Sequence, residues 1–126
     1  MNQIINILII VFLLCLVIYF LTGSNVDSIS VNQLRIRLNS NKNISIIDVR
    51  THSEYYGKLG HIDGSTLIPI SELEKHIDKI NNDNKDEIYT ICLSGGRSAK
   101  AVEILKKHDI KGINIKGGMA AWNMLK

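Results

Sequence analysis

Residues Ile88-Tyr89-Thr90-Ile91-Cys92-Leu93-Ser94-Gly95-Gly96-Arg97-Ser98 decide the fold of this chain. The first four are aliphatic, aromatic or β-branched, as a buried strand requires. The glycine pair then breaks the run, and Ala101, Ile104 and Leu105 recur beyond it at helical spacing. A cysteine therefore stands where a strand ends and a tight loop turns into a helix. The first turn of a helix offers backbone N–H groups without intrahelical partners and the positive end of the helix dipole. A thiolate in that place is stabilised, and its pKa is expected to be depressed. The position suits a nucleophilic cysteine that also holds an anion.

Elements of both kinds alternate on either side of this loop. Ser30 to Gln33 is a capping box opening a helix with Val31, Leu34 and Leu38 on one face. Ile44 to Val49 reads as a buried strand, and Thr51 to Glu54 as a second capping box whose short helix Gly57 ends. Gly60 to Gly64 is a loop, Thr66 to Ile68 a short strand stopped by Pro69, and Ser71 to Glu74 a third capping box with Leu73, Ile77 and Ile80 behind it. After the cysteine loop come a helix to about Lys107, a strand at Ile113 to Ile115, and a final helix from Gly117-Gly118 through Trp122 and Leu125. Such alternation predicts an α/β fold, a parallel sheet covered on both faces. In these sheets, sites lie at the carboxyl ends of strands. Asp48, Arg50 and Cys92 all fall there.

Ile4 to Leu21 is an apolar stretch of 18 residues whose only clearly polar member is Asn6. As a helix it spans roughly 27 Å, close to the thickness of a bilayer core. No Lys or Arg precedes it, which argues against a secretory signal, although cleavage near Thr22-Gly23-Ser24 is the competing outcome. The expected organisation is a transmembrane anchor over residues 1–22, a linker over 23–28 and a domain over 29–126. All 15 Lys and Arg residues follow the segment, so the positive-inside rule places the domain on the cytoplasmic side of a single-pass cell-membrane protein.

The remaining composition narrows the function. A net charge of +3 over 126 residues, with no basic stripe interleaved with aromatics, gives no case for nucleic-acid binding. His52, His61, His76 and His108 lack metal-ligand spacing, and neither a metal nor a cofactor is expected. The two cysteines are Cys15, inside the apolar segment, and Cys92, so the domain holds one thiol with no resolving partner.

Four blocks together resemble the rhodanese-like family of single-domain sulfurtransferases: Ile46-Ile47-Asp48-Val49-Arg50; Glu54-Tyr55 with Gly60-His61-Ile62-Asp63-Gly64-Ser65 and Ile68-Pro69; the Cys92–Ser98 loop; and Gly117-Gly118-Met119-Ala120-Ala121-Trp122. The resemblance covers roughly Ser28 to Trp122. It implies a five-stranded parallel sheet flanked by helices, with the cysteine loop cradling the reacting sulfur. The stretch from Tyr55 to Gly60 is slightly longer than usual, which should affect only a surface turn.

The chemistry expected of such a loop is covalent sulfur transfer. Cys92 would take a sulfane sulfur from thiosulfate or a persulfide, become a persulfide, and yield it to a thiol or cyanide. Backbone N–H groups of Leu93, Ser94, Gly95, Gly96, Arg97 and Ser98 can form a nest for the anion. Arg97 adds a planar cation suited to an oxyanion, and Ser98 either caps the next helix or donates to the sulfur. Four residues separate Cys92 from Arg97, a shorter spacing than in related phosphatases. Asp48 either orients the loop or Arg97 or fills a buried hydrogen-bonding role. Arg50 and Glu54 read as a structural ion pair, His61 as a loop-fixing residue and Trp122 as core. The rival functions are a membrane-tethered binding or regulatory module without turnover and, behind it, a phosphatase or arsenate reductase on the same scaffold.

Overall fold

The computed structural model describes residues 1–21 and 25–125; Thr22, Gly23 and Ser24, which the sequence assigns to the anchor's end and the linker, lie outside the described residues, as does Lys126. Five strands build one sheet in the order β1-β5-β4-β2-β3. They are β1 (Ser28–Ile29), β2 (Ile44–Asp48), β3 (Thr66–Leu67), β4 (Glu87–Ile91) and β5 (Gly112–Ile115). Every neighbouring pair is parallel. The helices are α1 (Asn2–Leu21), α2 (Val31–Leu38), α3 (His52–Tyr55), a 3-10 helix (Ile70–His76) that runs into α4 (Ile77–Asn82), α5 (Gly96–Lys107) and α6 (Gly118–Met124).

Successive residues of a strand face opposite sides, and this sheet is apolar on both. Ile47, Ile88 and Cys92 join Leu73, Ile80, Ala101 and Leu105 on the side of α4 and α5. Ile46, Tyr89, Ile91 and Ile115 join Val31, Leu34 and Met119 on the side of α2 and α6. Leu34, Leu73, Leu105, Ile115 and Met119 are completely shielded from solvent. Burial of each such side chain is worth about 1.5–3 kcal/mol.

Both expected capping boxes at Ser30 and Thr51 are present. The third, at Ser71, is not. The helix starts at Ile70 behind Pro69, without a side-chain cap. Pro69 already sets the entering backbone, and the Ile70 N–H is taken by the carbonyl of Val49 at 3.1 Å, so Ser71 lies inside the first turn. Gly57 does not end α3 by a left-handed turn. A Cβ there would stand 2.6 Å from the Ser53 carbonyl oxygen, so the requirement is close backbone approach. The turn it opens is not wholly superficial, because Leu59 packs against the α2–α6 core.

The strand that the sequence pattern lacks is β1. Its two residues pair with β5 as Ser28 with Asn114 and Ile29 with Ile115, so Ser28 belongs to the sheet rather than the linker. Helix α1 has no buried residue, and its best window has a mean hydropathy of 3.2. It is long and apolar enough to cross a membrane by length and composition, a test that a signal sequence also passes.

Strand order fixes where a site can form. The chain leaves β2 for β3 on one side and leaves β4 for β5 on the other, although β2 and β4 are neighbours. Their connections diverge at the carboxyl ends and open a crevice there, the topological switch point of the sheet. Asp48 and Ile91 are register partners at its floor. The crevice is closed from behind by α6, whose Met119 and Ala120 N–H groups donate to the carbonyls of Cys92 (2.8 Å) and Leu93 (3.0 Å). That contact requires glycine at 118, where φ is +55° and a Cβ would lie 2.3 Å from the Cys92 oxygen. Gly118→Ala is therefore expected to cost roughly 2–4 kcal/mol in urea unfolding, from overpacking added to left-handed strain. Gly64→Ala, at φ +79° with open space around it, is expected to cost about 1 kcal/mol. Equal losses for the two would refute the close-approach argument.

Candidate active site

Cys92 is the first residue after β4 and is buried, at 1% exposure. The loop then curls through Gly95, whose φ of +109° makes it the N-cap of α5, with Gly96 as the first helical residue. This curl turns the start of α5 back on the sulfur. Sγ accepts from the Gly95 N–H at 3.1 Å and lies 3.3 Å from the Ser98 hydroxyl. Ser98 is thus inside the first turn and serves the sulfur, not the cap. Burial pushes the Cys92 thiol up. The Ser98 hydroxyl and the backbone N–H groups of Ser98, Gly95 and Ser94 outweigh that effect and hold it below its ordinary value.

Ser98 is itself gripped from the sheet. Thr90 and Asn114 are register partners on β4 and β5. The Thr90 hydroxyl donates to the Ser98 carbonyl at 2.9 Å, and Ser98 Oγ lies 2.6 Å from Asn114 Oδ1. All three are buried. The sequence gives little sign of Asn114. Its one signal is a polar residue between Ile113 and Ile115, where a strand covered on both faces has no solvent side to put it.

The acidic and basic residues at the crevice form two pairs. Asp48 and Arg50 are fully buried partners, with Arg50 Nε and Nη2 donating to the carboxylate at 2.7–3.1 Å. Arg50 also donates to the carbonyls of Glu54 and Gly60 at 3.2 and 2.8 Å. The pair thereby ties the end of β2 to α3 and to the loop beyond it. Removing one partner of a buried, hydrogen-bonded pair costs about 3–5 kcal/mol. Of the two roles open to Asp48, the buried hydrogen-bonding one is observed.

The expected ion pair of Arg50 with Glu54 is not formed. Arg50 meets only the main chain of Glu54, because Asp48 is two residues away and already occupies its fork. The Glu54 carboxylate crosses the crevice instead and takes both Nη atoms of Arg97 at 2.7 and 2.8 Å. It also accepts from Thr51 N–H and Oγ1, each at 3.0 Å. The Arg97 hydrogen bonds, followed by that of Thr51, bring the Glu54 carboxyl down to about 2. His61 Nδ1–H donates to the Tyr55 carbonyl (3.0 Å) and the ring stacks on that of Tyr55, a loop-fixing role as expected. Trp122 is partly buried against the α2–α6 core, with the Arg35 guanidinium 4.2 Å above its ring.

Among the described residues, no cluster of three or more His, Cys, Asp or Glu is placed to hold a metal ion. A groove of about 690 Å³ lies at the opposite end of the sheet beside Val102, Lys106 and Gly112, and no Cys, Ser or Thr is among its lining residues. The chemistry-bearing residues are therefore those at the switch point.

The sequence of residues 30–125 matches the model of the rhodanese-like domain. A Bacillus subtilis (strain 168) protein named as a sulfur carrier, YrkF, is 38% identical over 101 residues, 79% of this chain and 52% of that protein. The chain thus spans about half the length of this relative. YtwF of the same organism, named as a sulfurtransferase, is 28% identical over 77% of this chain and 90% of its own length. A solved rhodanese-like domain protein from Staphylococcus aureus superposes with a TM-score of 0.66 at 38% identity, covering 76% of this chain and 90% of that one. With its sheet order, its cysteine loop and this match over 30–125, the chain belongs to the rhodanese-like domain family.

Proposed function

We propose that this chain is a sulfurtransferase in which Cys92 carries a sulfane sulfur. The observation that carries the proposal is the setting of Sγ, buried yet with its pKa lowered by the hydroxyl and N–H donors at the N-terminal turn of α5. The Cys92 thiolate attacks the outer sulfur of a donor, thiosulfate or a persulfide. The donor's S–S bond breaks, and its electron pair leaves with sulfite or with the donor thiolate. An acceptor thiolate or cyanide then attacks the outer sulfur of the Cys92 persulfide, and Cys92 leaves as the thiolate again. The N–H groups from Leu93 to Ser98 receive the charge of the persulfide. Phosphoryl transfer is disfavoured by Arg97, whose fork is turned out to Glu54 rather than over the loop.

Hydrogen accounting supports a thiol that changes charge. A hydroxyl has one proton. With Cys92 protonated, its S–H donates to Ser98 Oγ, and the Ser98 proton goes to Asn114 Oδ1. With Cys92 ionised, the Ser98 proton turns to the sulfur. An amide can then offer Ser98 its N–H by exchanging its two ends, which an apolar side chain cannot do.

We further read α1 as a membrane anchor with the domain on the cytoplasmic side. Its 20 residues carry no charge, and the first cations follow at Arg35 and Arg37.

Three outcomes are expected. After incubation with thiosulfate or cysteine persulfide, intact mass should show one sulfur atom added to the chain and none added to Cys92→Ser; no gain from either donor refutes the proposal. Ser98→Ala should raise the Cys92 pKa and slow alkylation at neutral pH about tenfold, with the rate recovered at high pH, since a hydrogen bond to an ion is worth about 1.5 kcal/mol. An unshifted pH profile would remove Ser98 from the thiolate's support. Finally, the full chain should stay in the membrane pellet after an alkaline carbonate wash. A soluble chain lacking the apolar segment would identify that segment as a cleaved signal.

A further inference from the structure

The crevice around Cys92 holds its cations in matched pairs. Arg50 is consumed by Asp48, and Arg97 by Glu54. The second pair spans the crevice, from α3 after β2 to α5 after β4. Its acid is also held by its own helix, because Glu54 closes the Thr51 capping box with its side chain. Two parallel N–H···O bonds take the Nη1–Nη2 edge of the guanidinium, so its charge is already matched by a carboxylate before an oxyanion enters. The carboxyl, brought down to about 2, stays ionised across the physiological range. Lys116 stands at the same end of the sheet but is exposed, where its charge is screened by salt.

We propose that Glu54 is the specificity-determining residue of this site: by occupying Arg97 it selects a persulfide donor of low charge over the dianion thiosulfate. The proposal rests on the sulfur-transfer reading above and names the donor class within it.

The two donors place different demands on the same thiolate. Thiosulfate brings two negative charges to an anionic sulfur and releases sulfite beside it. The sulfur thiolate is supported by uncharged donors, Gly95 N–H and Ser98 O–H, and the adjoining ion pair is neutral as a whole. A protonated persulfide brings no charge to the reacting atoms. The Cys92 thiolate attacks the outer sulfur of R–S–SH, the S–S bond breaks, R–S⁻ leaves, and the persulfide proton passes to water. Like charges about 12 Å apart at an effective dielectric of about 20 change a rate by about tenfold per unit charge.

The test uses the full chain in detergent and the rate at which Cys92 gains sulfur, by intact mass, from thiosulfate and from cysteine persulfide. Glu54→Gln keeps the capping box, which glutamine completes as glutamate does, and frees Arg97. It is expected to raise the thiosulfate rate constant about tenfold and the persulfide rate constant less than twofold. Glu54→Asp, which keeps the charge, is expected to retain the native ratio of the two rates. A ratio unchanged by Glu54→Gln, or one shifted equally by Glu54→Asp, overturns the proposal. If neither donor sulfurates the native chain, the sulfur-transfer reading itself fails, an outcome distinct from an unmoved ratio.

Discussion

The carbonyl oxygen of Cys92 occupies the space that a side chain at residue 118 would need, and much of the site follows from that contact. The 2.3 Å between this oxygen and a Cβ built on Gly118 means that helix α6 sits hard against the back of the cysteine loop. The first N–H groups of α6 find partners in the carbonyls of Cys92 and Leu93. With those carbonyls turned back toward α6, the N–H groups of the next residues turn forward to the sulfur. One helix start thus satisfies the loop's acceptors, while a second, that of α5, supplies its donors. The buried Met119 keeps α6 in place, so the position of the thiol is set by the α2–α6 core on the far side of the sheet.

Burial and hydrogen bonding oppose each other at Cys92, and the balance has a structural origin. A thiol within the α4–α5 core should be inert and its pKa raised. The Gly95 curl changes this by bringing the start of α5 within 3.1 Å of the sulfur. Nearby guanidinium groups contribute little net charge, because each has a carboxylate partner. The two pairs have unlike roles. Asp48–Arg50 is sealed from solvent and holds main-chain carbonyls of α3 and the following loop. Glu54–Arg97 is partly exposed and joins the two walls of the crevice.

Much of this was legible in the chain. The runs at Ile44 and Ile88, the capping boxes at Ser30 and Thr51, and the cysteine loop are local patterns, and local geometry realised them. What escaped depends on partners distant in sequence. Strand β1 is two residues long and exists because β5 offers it an edge, so no periodicity marks it. The partner of Glu54 is 43 residues away, across the β2–β4 boundary, whereas Arg50 is the near and tempting choice. Asn114 acquires meaning only when β5 is laid beside β4 and Ser98 descends onto both. At Ser71 a local pattern was present but overruled, because Pro69 and the Val49 carbonyl had already started the coil.

The distribution of charge explains why a lone thiol is adequate here. A dithiol site resolves its oxidised cysteine with a second sulfur; among the described residues the only other cysteine is Cys15 in α1. Cys92 is shielded by its surroundings, at 1% exposure. Under the proposed function, a persulfide would add one atom and keep one negative charge beside the Gly95 N–H and Ser98 hydroxyl. A site of fixed net positive charge would hold that anion more tightly and release it more slowly. On the proposed sulfur transfer, neutral ion pairs around uncharged donors would leave that sulfur free to be passed on.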